Sequence, residues 1–224
     1  MDARGHWLGN EWKEQSMLGV FVESFALLIV AIDPLSMLPI FASFTQGLNR
    51  NELNALCFRS SLTALVILLV FWFVGSHVLQ LMGININSFY IVGGLFLMII
   101  AYQMVFEKRQ KRRKATAEKA INDVALSSLA TFPLAIPLIA GPGAITTVIL
   151  LSEKSSYSIN SHTAGVSAIC FVIILTAISL WVSGKIAEKL PVSILSALQR
   201  TFGLLLGALA IEFVIQGIRQ TFNI

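Results

Sequence analysis

Charge is scarce in this chain. Asp, Glu, Lys and Arg supply 12% of its 224 residues while 56% are hydrophobic, against about 25% charged in an ordinary soluble domain. Such a composition excludes a water-soluble globule, and little chain remains for any soluble domain. Cysteine is sparse too: Cys57 and Cys170 are the only two, one near the start of an apolar stretch and one inside another, so neither a disulfide framework nor a metal-ligand spacing exists. His6, His77 and His162 are scattered among polar ends, and H-E-x-x-H, G-x-x-x-x-G-K-S/T and G-x-S-x-G are all missing. That removes zinc peptidases, nucleotide-driven pumps and serine hydrolases, and it implies no metal and no cofactor. Asp33 is the one aspartate at membrane depth, since Asp2 and Asp123 fall outside or at a boundary. A paired-aspartate intramembrane protease is thereby excluded, and the chain reads as no enzyme.

What is present is apolar sequence gathered in six blocks, 17–44, 56–81, 88–106, 124–151, 164–182 and 198–218, each of a length to cross a bilayer as a helix. The first sixteen residues are polar and mixed in charge, so the first block stays in the mature protein rather than serving as a leader. Trp7 and Trp12 suit an interface. The run Lys108, Arg109, Lys111, Arg112, Arg113 and Lys114 reads as a cytoplasmic loop under the positive-inside rule rather than as a nucleic-acid surface.

The chain also resembles itself. A shift of 108 residues places Pro34 on Pro142 and Asp33 on Gly141, and a shift of 109 matches five of thirteen positions between 93–105 and 202–214, including Gly94 with Gly203, Ala101 with Ala210 and Val105 with Val214. Gln103 falls on Glu212 in the same register. Two units of three crossings insert with opposite orientation, because an odd number of crossings leaves the chain on the other side. With both termini outside, 12 Lys and Arg lie inside and 4 outside. Blocks one and four are 28 residues each, about 42 Å as helix against a hydrocarbon core of about 30 Å. Re-entrant hairpins with both termini inside are therefore the alternative, giving 13 inside and 3 outside.

Helix-breaking residues sit in the middle of blocks one and four: Asp33-Pro34, then Leu38-Pro39-Ile40-Phe41, and Pro133-Leu-Ala-Ile-Pro137-Leu-Ile-Ala-Gly141-Pro142-Gly143-Ala144-Ile145. Proline removes a donor and clashes with the preceding turn, so each break frees backbone groups that lipid cannot satisfy. These motifs, with the six-block spacing, Ile91-Val92-Gly93-Gly94 and Arg200-Thr-Phe-Gly203-Leu-Leu-Leu-Gly207, resemble the MarC family of membrane proteins along essentially the whole chain. Ser36 departs from the pattern, standing where many relatives carry Gly. The resemblance implies a multi-pass protein of the bacterial inner membrane, grouped with neutral amino acid transporters, and it favours six crossings over re-entry.

The reading is therefore an all-α membrane protein of one domain, 1–224: two inverted three-helix repeats at 17–106 and 124–218, the first helix of each broken at its middle, joined by the cytoplasmic loop 107–123. Its partners are lipid and a small neutral amino acid, moved by export or exchange, with no nucleic acid and an oligomer left open; a channel or a regulatory membrane protein is the alternative. A zwitterion needs both charges paired once it leaves water. Amides after each break, around Leu35, Ser36, Gly143 and Ala144, suit the carboxylate. Carbonyls before Pro34 and Pro142, with Asp33, suit the ammonium, and Gly141 lets the ligand approach. Thr146 and Thr147, one turn on, can contact substrate or bond back to their own helix. Asp33, Glu212 and Gln103 are the candidates for ion coupling, and Gly203-x-x-x-Gly207 suits helix packing within the subunit.

Overall fold

The computed structural model describes residues 16–44, 48–123, 129–155, 158–186 and 191–222. Asp2, His6, Trp7 and Trp12, and the start of the fourth block at 124–128, lie outside the described residues. In chain order the elements are α1 (Met17–Ile32), α2 (Pro34–Phe44), α3 (Arg50–Leu81), α4 (Ile86–Val105), α5 (Lys108–Asp123), an irregular segment (Ala130–Ile139), α6 (Pro142–Lys154), α7 (Ile159–Ile186) and α8 (Val192–Phe222). There is no strand among the described residues.

Helix starts follow from side chains that satisfy the first free amides. Asn49 accepts from the Glu52 N–H at 2.9 Å while the Glu52 carboxylate accepts from the Asn49 N–H at 3.0 Å, a reciprocal cap for α3. Ser16 caps α1 through Gly19, and Asn85 caps α4 through Asn87. Among the described residues five spans are long and apolar enough to cross a membrane, α1 with α2 counting as one and α3, α4, α7 and α8 as the others; the irregular segment and α6, bent by 60° where they meet, make a sixth crossing when counted as one span. The irregular segment is no simple helix, because Phe132 and Ile136 take extended backbone angles before the cis peptides to Pro133 and Pro137.

The first span is more deeply buried than α3, α4, α7 or α8. In its most apolar stretch 67% of residues are buried, against 28% in α3 and in α8. Leu27, Leu28, Ile32, Met37 and Phe41 anchor the core, with Leu68, Trp72 and Leu97 packed around them. Trp72 lies over Gly165 and donates from Nε1 to His162 Nδ1 at 3.2 Å. Outside this core, α3, α4, α7 and α8 expose Val70, Phe73, Leu95, Ile99, Ile178 and Leu204, the apolar surface that a lipid solvent requires.

The largest helix contact joins α4 to α8, and it is reciprocal. A β-carbon on Gly94 would lie 2.6 Å from the Ala210 carbonyl oxygen and 2.7 Å from Val214 Cγ2; one on Gly203 would lie 3.0 Å from the Ala101 oxygen and 3.0 Å from Val105 Cγ2. Only glycine permits that approach of backbone to backbone. Since lower numbers on α4 meet higher numbers on α8, the two helices run antiparallel. Gly203 thus packs within the subunit, as its spacing suggested.

Candidate functional site

Asp33 separates α1 from α2. Its backbone is left-handed, φ 56° and ψ 67°, its N–H closes α1 on the Ile29 carbonyl, and its side chain is 1% exposed. A left-handed residue costs little for Asp or Asn, whose short polar side chains bond locally. Here Asp33 Oδ1 accepts from the Ser36 N–H at 3.4 Å, so the aspartate also caps α2. Ser36 is accommodated in this turn without a positive φ.

The second turn forms at Gly141, which precedes α6, with Pro142 at the first helical position, where its missing N–H costs nothing. Ile145 donates to the Gly141 carbonyl, while Gly143 and Ala144 have no backbone acceptor among the described residues. Those two amides carry the positive end of the α6 dipole. A cavity of about 220 Å³ opens against them, walled by Gly141, Pro142, Gly143, Ala144, Ile100 and Gln103, with Arg109, Arg112 and Arg113 over it. Gly143 is pressed against Ile100 of α4.

The basic loop closes the cavity, in a way its composition did not disclose. It folds as α5, which begins directly after a left-handed Glu107 (φ 58°), and lays Arg109 and Arg113, four residues apart on one helical face, over both turns. Arg113 Nη2 donates to the Ile32 carbonyl at 2.9 Å and to the Leu138 carbonyl at 3.4 Å, and Nη1 donates to the Asp33 carbonyl at 3.5 Å. Its guanidinium stands 3.7 Å from Asp33 Oδ2. Arg109 donates to the Ala31 carbonyl and to Met104 Sδ. Burial, and then the neighbouring Arg113 charge, push the Arg109 guanidinium down to about 9 against the opposing pull of Asp33, so it stays charged at neutral pH. Burial likewise lowers Arg113, again opposed by Asp33. At the root of α5, the hydrogen bond from Arg200 holds the Glu107 carboxyl below its usual range.

The other sequence candidates fall in different places. Pro34 and Ser36 are buried in the first turn and Leu35 is half-buried there. Thr147 donates to the Gly143 carbonyl at 2.8 Å; of its two readings the structure takes the bond to its own helix. Thr146 is buried with its methyl against Gly93. Gln103 lines the cavity, whereas its counterpart Glu212 is exposed on α8 and does not. The residues that composition missed are Arg109 and Arg113; their four-residue spacing in the loop was the available signal.

With this geometry in view, comparison with known proteins is decisive on kinship. The profile of the MarC family of integral membrane proteins matches residues 18–222. The chain belongs to that family. It is 34% identical over 208 residues to a UPF0056 membrane protein of Buchnera aphidicola, covering 91% of this chain and 94% of that one. It is 33% identical to the UPF0056 membrane protein YhcE of Escherichia coli (91% and 94% covered) and 30% identical to one from Methanocaldococcus jannaschii (97% and 95% covered). No solved structure matches it. The family is one of multi-pass integral membrane proteins, and the helices here agree with that.

Proposed function

We propose that this MarC protein is a secondary transporter that carries small neutral amino acids across the bacterial inner membrane, by export or exchange, with the α5 side cytoplasmic. The carrying observation is that one guanidinium reaches the carbonyl ends of both turns, so both lie within the span of a single small headgroup. Beside it, the free Gly143 and Ala144 amides face a cavity large enough for a small amino acid. A carboxylate there would meet a helix N-terminus, while the ammonium would take the carbonyls of Ile32, Asp33 and Leu138 with the Asp33 carboxylate. The reciprocal contacts of Gly94 and Gly203, at positions that align under the 109-residue shift, support two inverted repeats with the turns as breaks in equivalent helices.

The test is counterflow in proteoliposomes loaded with alanine. Saturable counterflow is expected, and flux that never saturates would replace the carrier with a channel. Asp33→Asn keeps the shape and removes the charge, and it should cut transport about tenfold or more, the equivalent of at least about 1.4 kcal/mol. It also leaves Arg113 without its carboxylate, so its thermal midpoint should fall as well. Unchanged counterflow in a folded Asp33→Asn protein would reduce Asp33 to a helix cap.

A further inference from the structure

We propose that the two turns together form a binding site for an organic monocation, an alkylammonium headgroup, and that Arg113 is its tethered occupant rather than part of its wall. The transport reading enters only in equating the free occupant with a substrate ammonium; the site itself stands on the geometry.

Its acceptors converge. Carbonyls of Ile32 and Asp33 end α1, and the Leu138 carbonyl belongs to the irregular segment before Gly141. The C-terminal end of a helix carries negative dipole charge, and Asp33 adds a full one. Each of these groups is directed at Arg113.

The fit is incomplete. Asp33 Oδ2 is buried and accepts no hydrogen bond from the described residues; its distance of 3.7 Å from Arg113 exceeds the roughly 2.7–3.2 Å of an N–H···O bond. Buried carboxylate oxygens seldom go without a donor. The guanidinium's fixed planar fork, set on three carbonyls, brings no N–H within bonding distance of this oxygen, whereas an ammonium can aim one of its three tetrahedral donors at it and share the other two among the carbonyls. The vacant acceptor therefore points to a cation that is smaller than the resident one.

The resident is also removable. Over residues 108–116, α5 buries no apolar side chain, and Lys111 and Arg112 are exposed. Among the described contacts, its hydrogen bonds to the turns come from Arg109 and Arg113. An element fastened by a few polar contacts opens locally at lower free energy than the packed core does.

Chemical rescue tests this on the full chain in detergent, with no amino acid present. Arg113→Ala should lower the thermal midpoint and leave the site vacant. Methylammonium chloride should then raise that midpoint by about 2 °C or more, as binding to the folded state requires, while sodium chloride at equal ionic strength should not. The parent protein, its site filled, should respond to neither salt. Arg113→Gln, a neutral and shorter side chain that stops short of the carbonyls Arg113 reaches, serves in the same way where the alanine variant aggregates. Equal responses of variant and parent, or of the two salts, would overturn the proposal. Rescue without any amino-acid counterflow would keep the cation site and remove the transport reading; counterflow without rescue would do the reverse.

Discussion

At the scale of single residues, Asp33 holds three positions at once. Its left-handed backbone ends α1, its Oδ1 starts α2 and its Oδ2 faces Arg113. Gly143 is constrained from two sides, by Ile100 and by the cavity onto which its amide opens. A valine there would overpack against α4, at about 1–3 kcal/mol, and would fill the volume a ligand carboxylate needs. Gly143→Val should therefore abolish saturable counterflow, while Ile149→Val, buried further along α6, should keep it and lose about 0.5–1.5 kcal/mol of stability. Gly143→Val protein that transports with parental half-saturation would move the carboxylate away from these amides. Much at this scale was legible: Pro34, Pro142 and the flanking residues announce the turns because proline chemistry is local. The Thr147 hydroxyl was not legible, since helix back-bonding and ligand contact ask for the same residue at the same place, and only the 2.8 Å bond to Gly143 separates them.

At the scale of elements, α5 is the finding that sequence reasoning passed over. Six basic residues in a short loop satisfy the positive-inside rule so fully that nothing else is needed to account for them, and the rule says nothing about which of them bend inward. Arg113 lies 80 residues from the Asp33 carbonyl and 25 from the Leu138 carbonyl, and no pattern in one chain reports such pairings. The irregular segment was half legible: Pro133 and Pro137 marked it as broken, but the extended angles at Phe132 and Ile136 depend on how it packs. If Arg113 competes with the substrate ammonium for the same carbonyls, removing it should ease binding. Arg113→Gln is then expected to lower the half-saturation concentration for counterflow, on the order of tenfold for 1.4 kcal/mol of relieved competition. A higher half-saturation would make Arg113 a direct ligand of the substrate instead.

At the scale of the molecule, the antiparallel contact of α4 with α8 occurs twice over, the second set of partners being the first moved by the 109-residue shift. An apolar self-match of five in thirteen carries little weight by itself, because Leu and Gly recur in any membrane helix. Its weight comes from space: Gly94 meets Ala210 and Val214 while Gly203 meets their counterparts Ala101 and Val105. Cysteine labelling decides the topology. In a chain freed of Cys57 and Cys170, a cysteine at Ser193 should be modified from the same side of the membrane as one at Arg112; modification from opposite sides would restore the hairpin alternative. The linkage of α5 to the rest of the chain has a further consequence. A side chain that cannot diffuse away presents itself to its site at an effective concentration of about millimolar for a short tether. A free cation of equal intrinsic affinity must accumulate to a comparable level before it takes the site. A carrier built in this way would stay shut at ordinary solute levels and open on surfeit, its threshold set by the length and stiffness of α5 rather than by any contact with the solute.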